Sequence, residues 1–329
     1  MLVPILLLIL GLVLLWVGSD FVVESAKKIA QKLKVSQVFI GLTVVSIGTS
    51  LPEIFTNIFS GVSNLKGVDA SGLAVGVNIG SSIGLMTLVV GLVAFVGTLH
   101  STKKTLSRDG PIILISILLL FVMGFSGFIS RTEGIILMIC YGIYIFFLAR
   151  DERNGKKDVL AEVDDLIEIK GLKHHPLIVA LLLIVGLALL ILGSKFVVDN
   201  ALKIAAGFNF TQTFVGVVII GVGGFLPELS TALKGIIKKA HSISLGTLIG
   251  SNITNPLFSM GIGAAISGLT FNRSLLLFEL PFWALTVLTV MLLLKKDMFI
   301  DRSERKEGMA LIALYIVFVV MKIVFFKHV

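Results

Sequence analysis

Ten apolar runs occupy most of this chain, and each is long enough, or nearly so, to cross a lipid bilayer. With 56% hydrophobic residues, 15% charged residues and a mean hydropathy of +1.03, the chain is too apolar for a soluble domain of 329 residues. Because a spanning backbone must satisfy its own hydrogen bonds, we predict an all-α polytopic membrane protein with ten transmembrane helices. The runs lie near residues 2–24, 37–63, 70–98, 110–128, 132–149, 176–199, 212–237, 243–268, 274–294 and 308–326.

Lysine and arginine are distributed unevenly among the connections between these runs. The odd-numbered connections are rich in both, whereas the even-numbered connections hold only Lys66, Arg131, Lys203 and Arg273. Positive charge marks cytoplasmic loops, so we predict a multi-pass protein of the cell membrane with the odd connections cytoplasmic and both termini outside. The net charge of +8 then reflects topology and attraction to anionic lipid, and nucleic acid is not an expected partner.

Two segments of the chain repeat each other at a constant offset, which aligns Gly18 with Gly193. Between Gly18–Glu53 and Gly193–Glu228, 16 of 36 aligned positions are identical without a gap. This internal duplication divides the chain into a first repeat at 1–149, a cytoplasmic linker at 150–175 and a second repeat at 176–329. Each repeat has five spans, an odd number, so we predict that the two five-helix repeats are inverted.

Each repeat places a carboxylate directly after a proline in the middle of an apolar run, at Glu53 and at Glu228. A charge at bilayer depth is costly, so it is kept where it faces a partner, an ion or water. The preceding prolines, Pro52 and Pro227, cannot donate a helical hydrogen bond, which leaves carbonyl oxygens beside each glutamate. Inverted repeats bring such interruptions together at the midplane. We therefore expect the two glutamates to face each other in an oxygen-rich, anionic site for a hard cation.

The segment Gly-Thr-Ser-Leu-Pro-Glu at 48–53, its copy at 223–228 and the Gly-Ser helix that follows each resemble the cation/calcium antiporter superfamily, most of all its sodium/calcium exchanger branch. The resemblance covers essentially the whole chain and implies an antiporter, not an enzyme, that uses no cofactor and carries Ca2+ in exchange for Na+ or H+. We expect a monomer in the lipid bilayer. In this family the metal ligands implied are Glu53 and Glu228, backbone oxygens near Thr49 and Gly224, and neighbouring cation positions at Ser50, Ser81, Ser251 and Asn255.

Some of these residues have structural alternatives. Small hydroxyl residues such as the three serines also serve helix packing, and Asn255 precedes Pro256 and could satisfy the backbone there. The resemblance also implies that the first and sixth helices slide past the others, and Gly-rich faces would permit the close contact. Asp20 and Asp199, at the membrane ends of these two helices, are expected to be solvated or to snorkel.

The two copies of the motif are unequal, which bears on ion coupling. Gly224 and Phe225 stand where the first copy has a threonine and a serine, and Leu85 stands where the family has an amide or a carboxylate. Asn255 is neutral where an aspartate is common. We therefore expect an intact Ca2+ cage with depleted flanking Na+ sites.

Charge counting limits the counter-ions. Two carboxylates balance one Ca2+, two Na+ or two protons, so we expect a reduced Na+ stoichiometry. Protons are the alternative counter-ion, because a desolvated carboxyl group without a cation favours its protonated form. A cation channel is a less favoured alternative. An intramembrane enzyme or an ATP-driven pump is disfavoured, since the apolar runs hold no histidine and the chain has no phosphate-binding loop.

Overall fold

The computed structural model describes residues 2–97, 99, 105–154, 176–206, 221–295 and 305–325, and this part of the chain is almost entirely helical. The helical segments, numbered in chain order, are α1 (Leu2–Leu33), α2 (Gln37–Thr49), α3 (Leu51–Leu65), α4 (Ser71–Val96), α5 (Thr105–Gly124), α6 (Arg131–Asn154), α7 (Pro176–Ala206), α8 (Gly221–Gly224), α9 (Leu226–Ile237), α10 (His241–Thr254, continued by Asn255–Ser259 and Met260–Ser267), α11 (Leu275–Lys295) and α12 (Arg305–Phe325). Two short strands, β1 (Phe128–Ile129) and β2 (Leu269–Thr270), pair antiparallel.

Six of the described helices are long and apolar enough to cross a membrane, and a seventh span is added if α2 and α3 count as one bent helix. Their outward faces carry large apolar side chains, such as Leu118, Val122 and Phe146, that are about three-fifths exposed. Such surfaces are stable in lipid and unstable in water. The protein is therefore a multi-pass helical membrane protein.

Several helix ends differ from the limits of the apolar runs. The first and sixth predicted spans continue as helix to Leu33 and Ala206, beyond the apolar residues. The predicted linker starts inside α6, which ends at Asn154, and its remaining residues, 155–175, lie outside the described part of the chain. Residues 207–220, which include the first residues of the seventh predicted span at 212–237, lie outside it as well.

The two Leu-Pro-Glu segments both follow a break in a helix. Between α2 and α3 the chain bends by 47° at Ser50, and Pro52 occupies the first turn of α3. Between α8 and α9 the break is at Phe225, and Pro227 occupies the first turn of α9. Proline is favoured in a first helical turn because no N–H is needed there. The breaks therefore start new helices directly before Glu53 and Glu228.

Local features recur in the two halves at a second constant offset, which aligns Leu85 with Asn255. Single π-helical turns start at these two residues, at Leu85–Val89 in α4 and at Asn255–Ser259 in α10. The same offset aligns the turns Thr105–Asp109 and Leu275–Glu279, which open α5 and α11. Such turns are rare in helices, so their recurrence extends the observed correspondence beyond the identical residues.

Helices α1 and α7 lie against each other through glycines. A Cβ added at Gly18 would lie 2.8 Å from the carbonyl oxygen of Gly186, and one added at Gly193 would lie 2.8 Å from that of Gly11. These distances leave no room for a side chain. The Gly-rich faces noted in the sequence are thus the contact between the two longest described helices.

Candidate cation site

The two glutamates occupy the first turns of α3 and α9, and both side chains are completely buried. Their carboxylates lie close enough for the two charges to repel each other. The start of a helix favours negative charge because its N–H groups are not paired within the helix. Repulsion between Glu53 and Glu228 is therefore only partly offset by the protein, and a bound cation would relieve it.

Other buried acids in the described part of the chain have cationic partners. Asp109 pairs with Arg108 at 2.7 Å, and Glu279 pairs with Lys322 at 2.6 Å. No lysine, arginine or histidine among the described residues forms such a pair with Glu53 or Glu228. Since buried charges are normally paired or bind metals, these two carboxylates are distinguished as candidate cation ligands.

Three serine hydroxyls surround the two carboxylates. Ser81 Oγ donates to Glu53 Oε1 at 2.9 Å. Ser50 Oγ lies 3.2 Å from Glu228 Oε1 and 3.1 Å from Ser251 Oγ, which in turn lies 3.3 Å from the same carboxylate oxygen. Because Ser50 belongs to the first half of the chain and Glu228 to the second, the two broken helices meet here.

Each carboxylate has one oxygen that no neighbouring group satisfies. Within the described structure, Glu53 Oε2 and Glu228 Oε2 are buried without a hydrogen-bond partner. The same is true of both polar atoms of Asn255, one turn after Ser251 in α10. Buried polar atoms are rarely left unsatisfied, and unsatisfied oxygens of acid and amide groups are the donors that a hard cation requires.

Thr49 and Gly224 stand at the ends of the two broken helices, directly before Ser50 and Phe225. The Thr49 hydroxyl donates to its own helix, at 3.1 Å from the Val45 carbonyl oxygen. A Cβ added at Gly224 would lie 3.8 Å from the Cβ of Ser81, in ordinary contact. Gly224 therefore borders the site next to Ser81, where steric fit does not require a glycine.

One flank of the site is apolar. Phe225, at the position that matches Ser50, is completely buried, and its ring fills the space where a side chain at Gly84 would lie. The ring also packs edge-on against Tyr315 at 6.2 Å. Leu85, which matches Asn255, is buried in the same apolar core. Ser50 and Asn255 thus give one side of the site polar groups where the other side is apolar, whereas Ser251 and its counterpart Ser81 are alike.

Sequence reasoning missed Asn57, which supports the site from α3. Its side-chain nitrogen donates to the Glu53 carbonyl oxygen at 2.8 Å and to Ser259 Oγ at 2.9 Å. Asn57 follows Glu53 by four residues, and Ser259 follows Asn255 by four, so each lies on the same helix face as a predicted ligand. That spacing could have marked each residue as a neighbour of a predicted ligand, but it does not show that the two contact each other.

The side chains of Asn78 and Asn252 both donate hydrogen bonds to carbonyl oxygens of their own helices. Asn252 accepts a hydrogen bond from Trp283 Nε1 at 3.0 Å, and its side-chain nitrogen donates to the Leu248 carbonyl oxygen. The Asn78 side-chain nitrogen donates to the Ala74 carbonyl oxygen at 2.7 Å. Both side chains therefore belong to the hydrogen-bond network of the helix core.

The donor set defines the kind of ion that would fit. Among the described residues, no three histidine, cysteine or acidic side chains form a cluster that could hold a metal. The site instead offers two carboxylates with hydroxyl, amide and carbonyl oxygens, which suit Ca2+ or Na+ and not a transition metal. A site of this kind, built between two broken membrane helices, defines an ion-transport protein.

Comparison with known proteins identifies the family. A model of the family described as "Sodium/calcium exchanger protein" matches residues 3–150 and 178–324. This chain belongs to that family of exchangers. Over 351 aligned residues it is 30% identical to the sodium/calcium exchanger MaX1 of Methanosarcina acetivorans, covering 96% of this chain and 97% of that protein.

Two further relatives bear on the fold and on the ions. A solved structure of the sodium-calcium exchanger NCX_Mj, soaked with Na+ and Sr2+, superimposes with a TM-score of 0.78 at 28% identity, covering 97% of this chain and 98% of that one. The vacuolar cation/proton exchanger 2 of Arabidopsis thaliana is 25% identical over 266 residues, which cover 73% of this chain and 59% of the plant protein.

Proposed function

We propose that this protein is a secondary active antiporter that exchanges Ca2+ for Na+ at a single site built from Glu53 and Glu228. The observation that carries the proposal is the pair of completely buried carboxylates, each with one unsatisfied oxygen and neither with a cationic partner in the described structure. Thr49 and Gly224 contribute backbone oxygens, and Ser50, Ser81, Ser251 and Asn255 complete the set. Membership of the exchanger family supports the same conclusion.

We further propose ten transmembrane helices arranged as two inverted repeats, at 1–149 and 176–329, joined by a cytoplasmic linker. The two constant offsets support this arrangement, since both helix breaks and two pairs of π-helical turns recur in the second half. The lysine-rich odd connections are assigned to the cytoplasmic side by the positive-inside tendency, with both termini outside.

Competition for one anionic site provides the mechanism. With two carboxylates ionised, the site is neutral when it holds one Ca2+ or two monovalent ions. Only a neutral site can be enclosed cheaply in the membrane, because burying net charge is costly. The empty site carries two negative charges and therefore stays open to water. The carrier can then change sides only with ions bound, which gives exchange and prevents leakage.

The unequal flanks set the stoichiometry of the proposed exchange. Ser50, Ser251 and Asn255 can hold a monovalent ion beside Glu228, whereas Ser81 is the only polar residue at the three matching positions, because Phe225 and Leu85 replace the serine and the asparagine. Fewer than three Na+ ions can then replace one Ca2+. We propose electroneutral exchange, with two Na+ per Ca2+.

The second candidate is an H+/Ca2+ exchanger on the same fold. Two protons neutralise the same two carboxylates, and similarity to a plant protein named as a cation/proton exchanger favours this alternative. A cation channel would use the same acids as a selectivity site, but it would not require an ion on the opposite side of the membrane.

Calcium uptake into reconstituted vesicles tests these possibilities. Vesicles loaded with Na+ should accumulate Ca2+ when diluted into Na+-free buffer, and an imposed K+ diffusion potential should not change the initial rate. Ca2+ uptake that is driven by a pH gradient at constant Na+ would identify the H+/Ca2+ exchanger. Uptake that needs no counter-ion inside the vesicle would indicate a channel, and a strong effect of the potential would refute electroneutral exchange.

The variants Glu53→Gln and Glu228→Gln test the site. Each removes one negative charge and one cation ligand with almost no change of shape, so we expect Ca2+ uptake to fall to the level of vesicles without protein. Glu307→Gln, in the first turn of α12, is the matched control and should transport normally. Normal uptake by either site variant would refute the assignment.

A further inference from the structure

Ion pairs join the second half of α1 to the C-terminal end of α9, near the lysine-rich end of the molecule. Asp20 Oδ1 lies 3.0 Å from Lys234 Nζ and 2.9 Å from Lys238 Nζ, and Glu24 Oε1 lies 2.8 Å from Lys238 Nζ. We call these four side chains the α1–α9 clamp. Because Lys234 is only 7% exposed while the Asp20 side chain is 36% exposed, the clamp is a partly buried contact. This differs from the solvated or snorkelling role expected for Asp20 from the sequence.

Further contacts extend the clamp toward the cation site. Lys234 Nζ lies 3.8 Å from the centroid of the Trp16 ring, which adds a cation–π attraction. Ser230 Oγ donates to the Leu15 carbonyl oxygen at 3.0 Å and lies 3.3 Å from Ser19 Oγ. Helix α1 therefore covers the turn of α9 that directly follows Glu228, between that glutamate and the lysine-rich end.

The repeat shows what the matching contact looks like in the other half. At the offset that aligns Gly18 with Gly193, the positions that correspond to Asp20, Glu24, Ser230 and Lys234 are Lys195 and Asp199 in α7 and Phe55 and Phe59 in α3. All four of these side chains are exposed, Phe55 at 48% and Phe59 at 67%. The corresponding surfaces of α7 and α3 are therefore not closed over each other as α1 and α9 are.

We propose that Lys234 and Asp20 are positioning residues that hold the cytoplasmic side of the carrier closed while the external side is open. This inference rests on the proposed antiport and membrane topology. In the opposite state α1 must leave α9, which breaks the clamp, and α7 must approach α3. Lys195 would then meet the aromatic rings of Phe55 and Phe59, so the externally closed state is held by cation–π contact and not by ion pairs.

Disulfide trapping measures the closed contact directly. Ser19→Cys and Ser230→Cys replace hydroxyl oxygens that lie 3.3 Å apart, in a Cys140→Ser background that removes the chain's single native cysteine. With a membrane-permeant oxidant, we expect rapid crosslinking that stops Ca2+ exchange and is reversed by reductant. Lys234→Gln and, separately, Asp20→Asn should each slow crosslinking about fivefold, the scale expected for a partly exposed ion pair.

The controls separate this role from a general loss of structure. Lys234→Arg keeps the charge and should restore crosslinking, whereas Lys239→Gln, which removes an exposed charge next to the clamp, should have no effect. Lys195→Gln, at the matching position of the other half, should change crosslinking in the opposite direction, by destabilising the externally closed state. A cysteine introduced at the buried Ala26 provides a second measurement, since cytoplasmic maleimide should label it faster in Lys234→Gln.

Equal crosslinking and labelling in the parent, Lys234→Gln and Asp20→Asn proteins would overturn the proposal. So would slower crosslinking that Lys234→Arg does not restore, because that result indicates a packing defect. Neither readout requires Ca2+ or Na+. If the variants behave as expected but no Ca2+ exchange is found, the proposed function fails and the clamp stands.

Discussion

Replacing Gly18 with alanine tests whether α1 and α7 act as one closely packed pair. The new Cβ would lie 2.8 Å from the Gly186 carbonyl oxygen and 3.0 Å from the backbone nitrogen of Leu190. Both neighbours are backbone atoms, so no side-chain rotation can relieve the contact and the helices must separate. Overpacking of this kind costs about 1–3 kcal/mol.

The reciprocal variant sharpens the test. A Cβ at Gly186 would lie 2.9 Å from the Gly18 carbonyl oxygen, so Gly186→Ala should cost a similar amount. Once one alanine has moved the helices apart, the second meets less resistance. We therefore expect the double variant to be less destabilised than the sum of the single variants, by about 0.5 kcal/mol or more, as for residues in direct contact.

The assay is the apparent melting temperature of the purified protein in detergent, followed by intrinsic fluorescence or by loss of the monodisperse peak after heating. With an unfolding entropy of about 2.1 cal/mol/K per residue, the melting temperature of a chain of 329 residues shifts by about 1.5 °C per kcal/mol, so each single variant should melt about 1.5–4 °C below the parent. Gly142→Ala is the matched control, because a Cβ there meets nothing within 4 Å. Its melting temperature should be equal or slightly higher, since alanine favours helix.

Two results would refute this reasoning about helix contact. If Gly18→Ala has the same apparent melting temperature as the Gly142→Ala control, α1 and α7 are not in close contact in the purified protein. If the Gly18 and Gly186 effects add fully, the two glycines do not share one contact. Either result would also weaken the view that α1 and α7 move together.

Two further predictions concern the cation site and its support. Asn255→Asp adds a third carboxylate where both amide atoms are unsatisfied, so we expect the Ca2+-loaded site to need an additional monovalent cation and Ca2+ uptake in vesicles to depend on Na+ or H+ on the same side as Ca2+; uptake that is independent of both ions would contradict this role. Trp283→Phe removes the donor to Asn252 Oδ1, which should cost about 1–3 kcal/mol for a buried unsatisfied group and lower the apparent melting temperature with unchanged Ca2+ affinity, and an unchanged melting temperature would show that the bond contributes little.

The parts of this site that the sequence could predict are those fixed by local chemistry. Proline kinks or breaks a helix or opens its first turn, so the helix breaks directly before Glu53 and Glu228 could be expected from Pro52 and Pro227. The duplication then predicted that the two segments that carry Glu53 and Glu228 meet at one site. The glycine-rich faces of α1 and α7 were visible as well, because small residues mark a close helix contact, but they were expected to lie against the other helices and instead lie against each other.

The parts that could not be predicted depend on contacts between distant residues. Asn57 contacts Ser259 and Asp20 contacts Lys234 across the two halves of the chain, and nothing in either local sequence identifies the partner. From the sequence, Asp20 was therefore expected to be solvated, although the packing of α1 on α9 buries its partner Lys234. The matched π-helical turns inside α4 and α10 are also tertiary features, since only the one in α10 contains a proline.

The two halves differ in the residues around the cation site and in the α1–α9 clamp. The first difference affects which ions bind, and the second affects the populations of the two access states. If both repeats had the same sequence, the states open to either side would be related by the twofold axis and would have equal free energy. Each ion would then meet the same ligands from both directions. Phe225 and Leu85 change the ligand set, and so they alter which ions can neutralise Glu53 and Glu228. The clamp changes the relative population of the two states without touching the ligands. An access state that is only one-tenth populated binds with roughly tenfold weaker apparent affinity, so breaking the clamp should strengthen cytoplasmic Ca2+ binding and weaken external binding, whereas changes at Phe225 should alter both sides together.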